Sequence, residues 1–478
     1  MRLRPTTTLA AALALAALAA GQDAPTPGGF PAPAAAQKAR DDADYQRAVT
    51  AYRFWYPTVS VEAIFHGNRE LGINDNEAIP ILAAGPRHVG FTLNSDTPYG
   101  GGVIDVSAGP YVIELPPGPF IGLANDHHQR WVLDVGLPGP DGGKGGKHLV
   151  LPPGYMGDVP AGYFVGRSSS NKVLVALRYL PKKGEAKAAL EGLRGVKIYP
   201  LATAAAPKLV AMVDTTEKKM DSTPLRWEDN LAYWEKLHAI IDAEPVVDEY
   251  RPMYGLLAAV GIEKGKPFAP DARMKDLLVK AAKAGREQLL TSAFASARPD
   301  RFAWPDRRWE WVGLVPDTAQ FETKGGMDLE ARDRWFAQAI VTSPAMFRRE
   351  KGAGSLYWLG HRDKAGALVD GGKTYKLTVP QPVPAGLFWS VTVYDAATRS
   401  EVQTPQDRAA LRSLYETFIP NADGSVDLYF GPTAPAGKEG QWIRTVPGKG
   451  WFSYYRIYGP EPAAFDGTWK PGDFEEVR

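Results

Sequence analysis

Between residues 41 and 56 the apolar side chains Tyr45, Ala48, Val49, Tyr52 and Trp55 recur at helical spacing, and Pro57 is expected to end or kink the run. From His88 to Leu180 the period changes to short alternating or apolar runs, His88–Leu93, Tyr111–Leu115, Trp131–Val135 and Lys172–Leu180, each bounded by Gly/Pro clusters. That punctuation predicts antiparallel strands. Helical periodicity returns at Thr223-Pro224, a cap followed by proline at the first helical position, with Trp227, Leu231, Trp234, Leu237 and Ile241 on one face. Further helices are expected from Asp271 and over roughly Asp328–Val341. In the last section Lys373–Val379, Leu387–Tyr394, Ser425–Phe430 and Trp451–Tyr458 read as strands, with turn signals at Asp370-Gly371-Gly372 and Asn421–Gly424. Within Leu387–Tyr394, Phe388, Ser390, Thr392 and Tyr394 alternate with Trp389, Val391 and Val393, so the strand has two unlike faces, as a sandwich requires.

These periods predict an α+β, β-rich chain. An antiparallel-sheet domain with helices covers residues 41–200, a helical connecting section covers 201–350, and a C-terminal antiparallel β-sandwich, jelly-roll-like, covers 351–478. Ahead of them, Arg2 and Arg4 precede the short Leu/Ala run Leu9–Ala20, which reads as a cleaved signal peptide over 1–20. Residues 21–40, rich in Ala, Pro and Gly, read as a disordered leader. The expected location is periplasmic or secreted, with no membrane span in the mature protein. The 49 glycines and 41 prolines fit turn-rich β structure. With 55 Lys+Arg against 54 Asp+Glu and no basic run, nucleic acid is not an expected partner. The absence of cysteine excludes disulfides, thiolate nucleophiles and Cys-ligated metal.

The standard nucleophile elbow and phosphate-binding loop are missing. Val106-Ser107-Ala108-Gly109 lacks the first glycine of the former, and the Gly-rich run 139–147 lacks the Gly-Lys-Ser/Thr ending of the latter. Seven histidines are scattered except for His127-His128, neighbours that a strand would point to opposite faces. No metal site and no cofactor is therefore expected. Asp126 beside His127 offers acid–base chemistry, or else the pair is a solvated strand edge. The run Asn94–Gly102 gathers Asn94, Asp96 and Tyr99 before three glycines; these polar groups either cap a turn or line a pocket to which glycine gives close approach. In the C-terminal section Trp389, Arg399, Arg456 and Tyr458 supply aromatic and guanidinium groups that are either core or, if exposed, a carbohydrate platform.

At these residues the chain resembles bacterial proteins that pair domain-of-unknown-function family 1254 on the N-terminal side with family 1214 on the C-terminal side. The first pattern is carried by Ala51–Pro57, by Leu93–Tyr99 with Asp105–Pro110, and by Leu149–Tyr155. The second is carried by Leu387–Asp395, Asp423-Gly424-Ser425 and Arg456–Pro460. Ser95, Pro98 and Gln441 depart from the usual arginine or large polar residue, leucine and asparagine. The resemblance implies a two-part, β-rich exported protein and brings no reaction with it. Chemistry alone gives the functional expectation: a hydrolase-like enzyme acting on a small or polymeric organic substrate, in a cleft where the Asn94–Tyr99 loop meets the Asp126-His127 strand. Asp96 or Asp126 would act as base or orient His127, and Asn94 and Tyr99 would hold substrate oxygens. The alternative is a non-catalytic glycan- or envelope-binding protein using Trp389, Arg399 and Tyr458.

Overall fold

In the computed structural model, which describes residues 27–183, 185–315, 318–351 and 354–477, the first apolar periodicity forms a 38-residue helix, Pro33–Glu70. The signal peptide expected over 1–20 lies outside the described residues. The helix starts ahead of Asp41, inside the stretch read as leader, and continues through Pro57. Proline at that position removes the donor for the Arg53 carbonyl. Arg332, far along the chain, replaces it by donating to Arg53 O (3.5 Å) and Phe54 O (2.8 Å). A tertiary contact therefore overrides the local stop signal.

Three of the runs read as strands, Tyr111–Leu115, Trp131–Val135 and Lys172–Leu180, join other strands, not read from the sequence, in two packed sheets. One has six strands in the order Ala211–Asp214, Ala78–Ala83, Pro98–Asp105, Lys172–Tyr179, Phe120–Asp126, Trp131–Gly136; the other has four, Lys197–Pro200, Tyr111–Leu115, Gly146–Leu151, Phe164–Arg167. Their facing residues, among them Ile81, Val173, Val175 and Leu177 against Ile113, Val150 and Ile198, form one apolar core. Pairing is mainly antiparallel, with parallel exceptions at Ala78–Ala83 with Ala211–Asp214 and at Gly146–Leu151 with Phe164–Arg167. The run expected as a strand over His88–Leu93 is a strand only at His88–Val89. It then turns at Thr92 (φ 46°), whose carbonyl accepts hydrogen bonds from Tyr394 and Arg456 of the C-terminal sheet.

The middle of the chain is helical as expected. Helices Leu231–Ala243, Arg251–Ala258, Ala272–Phe294 and Leu329–Phe336 pack on the first helix through Tyr52, Trp55, Trp234, Leu278 and Phe336. Asp271 and Asp328 cap their helices as their positions predict, accepting from the backbone N–H of Met274 and Ala331. Asn230, rather than Thr223, caps the Trp234 helix, and the last helix ends at Phe336 rather than Val341.

The C-terminal sandwich pairs a five-stranded sheet, Glu310–Trp311, Ser355–Gly360, Trp451–Pro460, Ala385–Asp395, Ala410–Arg412, with a four-stranded one, Trp442–Arg444, Val426–Gly431, Thr374–Val379, Glu475–Val477. The alternation read from Leu387–Tyr394 is realised. Trp389, Val391 and Val393 enter the sandwich core with Trp358, Tyr455, Leu377 and Leu428. The opposite set, Phe388, Ser390, Thr392 and Tyr394, is buried against the N-terminal half, so this outer face of the sandwich is where the two halves of the chain meet.

Candidate functional site

A cavity of about 220 Å³ lies where the outer face of the six-stranded sheet meets the outer face of the five-stranded sheet. Residues paired across adjacent strands share a face, so the register gives the cavity floor directly. One row runs Leu82, Tyr99, Arg178, Ile121; the next runs Gly101, Ala176, Leu123, Asp134. The opposite wall is Tyr357, paired with Arg456, and Tyr454. Ile64 and Asn68 of the first helix and the segment from Trp335 to Met346 close the sides. Most of this lining is aliphatic. The glycine run has a specific part in it: a Cβ on Gly102 would lie 2.3 Å from Ile79 Cδ1, whereas one on Gly101 would meet nothing within 4 Å. Gly102 allows close core packing, and Gly101 leaves the cavity open.

The polar groups gather at two places. At the first, Arg178 donates through Nε to Thr97 Oγ1 (2.8 Å) and through Nη2 to the Tyr458 hydroxyl (2.7 Å) and Asn94 Oδ1 (3.5 Å). Its guanidinium lies over the Tyr99 and Tyr458 rings at 4.9 and 5.3 Å. No carboxylate touches it among the described residues. The Tyr458 hydroxyl donates in turn to Asp96 Oδ2 (2.9 Å), which also accepts from Ser390 Oγ (2.7 Å). Asp96 Oδ1 is buried without a partner. Nearby, Arg456 donates to Thr392 Oγ1 (3.0 Å), the Tyr394 hydroxyl (2.7 Å) and Thr92 O (3.1 Å). Burial pushes the Tyr99, Tyr394 and Tyr458 phenols upward, so they stay protonated donors. Burial also pushes the Glu401 carboxyl up to about 7, against the hydrogen bond that it accepts from the Ser95 N–H. Two guanidinium groups thus stand at this end of the cavity, and Arg178 reaches Asp96 only through the Tyr458 hydroxyl.

Asp134 stands at the second place. Only 5% of it is exposed, Oδ1 has no hydrogen-bond partner, and burial pushes its carboxyl up to about 6.

Of the residues expected from the sequence, Asn94, Asp96, Tyr99 and Tyr458 come together at the arginine end. Asp126 and His127 do not join them. Asp126 pairs with Val173, five residues along the same strand from Arg178, or about 17 Å at ~3.3 Å per residue. Its Oδ1 accepts the backbone N–H of His128 and Arg130 (2.9 Å each), and Oδ2 accepts from Ser169, so it caps a local turn. His127 is held between Glu244 (Nδ1 to Oε1, 2.8 Å) and Glu62 (Nε2 to Oε2, 3.2 Å). Burial opposes its charge, but the two carboxylates prevail and raise its pKa. The expected cleft joining the Asn94–Tyr99 loop to Asp126-His127 therefore does not form; the strand register separates them.

Trp389 and Arg399 lie elsewhere again. Trp389 is 5% exposed and stacks on Tyr455 and Phe418 inside the sandwich. Arg399, 1% exposed, forks onto both oxygens of Glu228 at 2.7 Å. With Tyr458 fully buried as well, these three residues form no exposed aromatic strip. Among the described residues no group of His, Asp and Glu is placed to hold a metal ion. Sequence reasoning missed Arg178, Asp134, Tyr357 and Tyr454. The first two did carry a signal, a charge on the cavity-facing set of a mostly apolar strand, although Arg178 shares its set with Lys172 at the far end.

The comparisons with known proteins agree with this two-part architecture. The family described as Protein of unknown function (DUF1254) matches residues 80–200, and Protein of unknown function (DUF1214) matches residues 354–462. No curated protein matches the chain. Among solved structures it is similar to the VPA0106 protein from Vibrio parahaemolyticus, with 20% identity and a TM-score of 0.57 over 91% of this chain and 100% of that one. An uncharacterised protein from Burkholderia cenocepacia matches at 14% identity and a TM-score of 0.40, over 92% of this chain and 96% of that one. The first likeness supports the fold, and the family matches fall on the regions that supply the two sheets of the cavity. The chain is a two-domain protein that joins a DUF1254 region at 80–200 to a DUF1214 region at 354–462.

Proposed function

We propose that this protein, exported through its N-terminal signal, binds a small amphipathic organic anion in the interdomain cavity. The apolar body of the ligand lies along Leu82, Ile121, Leu123 and Ala176, and its acidic group meets Arg178. The observation that carries this reading is Arg178 itself, a guanidinium on the wall of an apolar cavity with hydroxyl and amide partners but no carboxylate. A charge in such a place is costly unless paired, and a bound anion supplies the pair. A largely apolar, concave site with a few convergent polar groups is the usual form of a small-molecule site.

The test is binding of medium-chain and aromatic carboxylates to the purified mature protein by calorimetry, with Arg178→Gln as the control. Binding that is lost in the variant supports the reading; binding unchanged in it, or no binding at all, refutes it. Turnover of the bound anion by acid–base chemistry is a second reading, favoured by Asp134, which lines the cavity and whose carboxyl burial pushes up to about 6. An activity screen in which Asp134→Asn still binds simple anions but turns none over would support it.

A further inference from the structure

The two polar places in the cavity lie at a fixed separation. Arg178 pairs with Ile121, and Asp134 pairs with Leu123 two residues further along that strand. Two strand spacings of ~4.8 Å and two residue rises of ~3.3 Å place the Arg178 and Asp134 Cα atoms about 12 Å apart. Ile121 and Leu123 share their face and supply an apolar stretch between them. Arg178 has no anionic partner. Asp134 has neither a hydrogen bond to Oδ1 nor an ion pair with any cation among the described residues, although it is 5% exposed. Hydrogen bonds from Ser343 and Trp131 and the more distant charge of Arg348 offset only part of its desolvation, and Oδ1 stays free to accept.

Building on the anion-binding reading, we infer that the ligand is two-headed: an organic acid that carries an amino group at its far end, with the acid on Arg178 and the ammonium on Asp134. The two charges of the ligand answer two cavity groups that have no directly paired opposite charge, and the aliphatic floor takes the chain between them. Recognition is then a ruler. A ligand too short to span the separation satisfies one head only, and one with an apolar end leaves Asp134 without a partner.

Calorimetry with linear medium-chain ω-amino carboxylates, and with the same chains ending in methyl, tests this on the wild-type protein without any mutation. At least one amino-terminated chain length is expected to bind about tenfold more tightly than its methyl-terminated counterpart, as one charge-assisted hydrogen bond would give. Asp134→Asn should erase that preference while leaving methyl-terminated binding in place, and Arg178→Gln should weaken both series. If methyl-terminated carboxylates bind through Arg178 as well as any amino-terminated chain does, the two-headed ligand is refuted and the anion site stands. A preference that survives in Asp134→Asn also refutes it. If neither series binds, both readings fall together.

Discussion

The Arg399–Glu228 pair ties the C-terminal sandwich to the helical middle, and breaking it gives a prediction with a calculable size. Glu228 accepts four hydrogen bonds: two from Arg399 at 2.7 Å, one from Arg286 Nε at 2.6 Å and one from the Tyr56 hydroxyl at 2.8 Å. These fill the acceptor sites of a carboxylate. Arg399 also donates to Ala337 O (2.9 Å) and lies 4.1 Å over the Phe91 ring. Arg399→Met keeps the stem that packs on Phe91 and removes two charge-assisted bonds, each worth about 1.5–3 kcal/mol. The expected loss is about 3–5 kcal/mol, the usual cost of leaving one partner of a buried pair. Glu228→Gln should cost a similar amount, because it leaves the Arg399 charge without its carboxylate. The double variant should be less destabilised than the sum, with a coupling of about 2–3 kcal/mol. Equilibrium unfolding in urea at neutral pH reads these values. Burial alone would raise the Glu228 carboxyl, but Arg399 and Arg286 hold it below 4.5. The stabilisation is therefore present above pH 4.5 and is lost as pH falls through the lower folded value. A coupling below about 0.5 kcal/mol at neutral pH, or one that does not shrink on acidification, would refute the assignment of this pair as the tie between the two regions.

Gly101→Leu is expected to abolish ligand binding while leaving the unfolding midpoint unchanged or raised, because its side chain enters open space; a drop in stability shown by thermal unfolding would contradict that geometry. His127→Gln tests the Glu62–His127–Glu244 cluster. The imidazole is held above 6.5, so its contribution is present below that pH and lost as pH rises through the folded value, whereas Glu62 and Glu244, held below 4.5, lose theirs on the acid side. The stability deficit of the variant should therefore be largest between about pH 4.5 and 6.5 and should shrink at alkaline pH, as followed by melts across that range. Trp389→Ala should cost about 3–5 kcal/mol as a core truncation, measured by urea unfolding; a change below about 0.5 kcal/mol would mean that the indole is not core after all.

The sequence makes the faces of strands legible, but not their neighbours. Alternation in Leu387–Tyr394 correctly separates the core set from the set facing the N-terminal half, since period 2 is a property of a single strand. The run Asn94–Tyr99 stands out for the same local reason, a concentration of polar groups before glycines. The expectation that it meets Asp126-His127 fails because the meeting depends on register: Tyr99 is aligned with Arg178 at one end of the strand Lys172–Tyr179, and Asp126 with Val173 at the other. No spacing within either segment encodes that alignment. The helix through Pro57 fails to be foreseen in the same way, because the donors that make the proline tolerable sit on Arg332. Arg178 and Asp134 were within reach. Each is a charged residue on the cavity-facing set of an apolar strand, where a sheet packed on both sides gives a charge no route to water.

The cavity itself argues that the two regions are selected as a pair. Neither sheet encloses it alone: the floor belongs to strands of the 80–200 region and the opposite wall to strands of the 354–462 region. If the same 220 Å³ were an enclosed void, a cost of roughly 24 cal/mol per Å³ would amount to about 5 kcal/mol, comparable with the whole net stability of many domains. Packing alone would begin to remove such a space readily, since a Cβ at Gly101 would meet nothing within 4 Å. The polar network ties the two sheets together at one end: Asp96 from the first region is bound by Ser390 and Tyr458 from the second, and Arg178 shares that Tyr458 hydroxyl. The fold thus keeps a space open between the two regions and sets Arg178 on its wall with hydroxyl and amide partners only, which is the arrangement on which the proposed anion site rests.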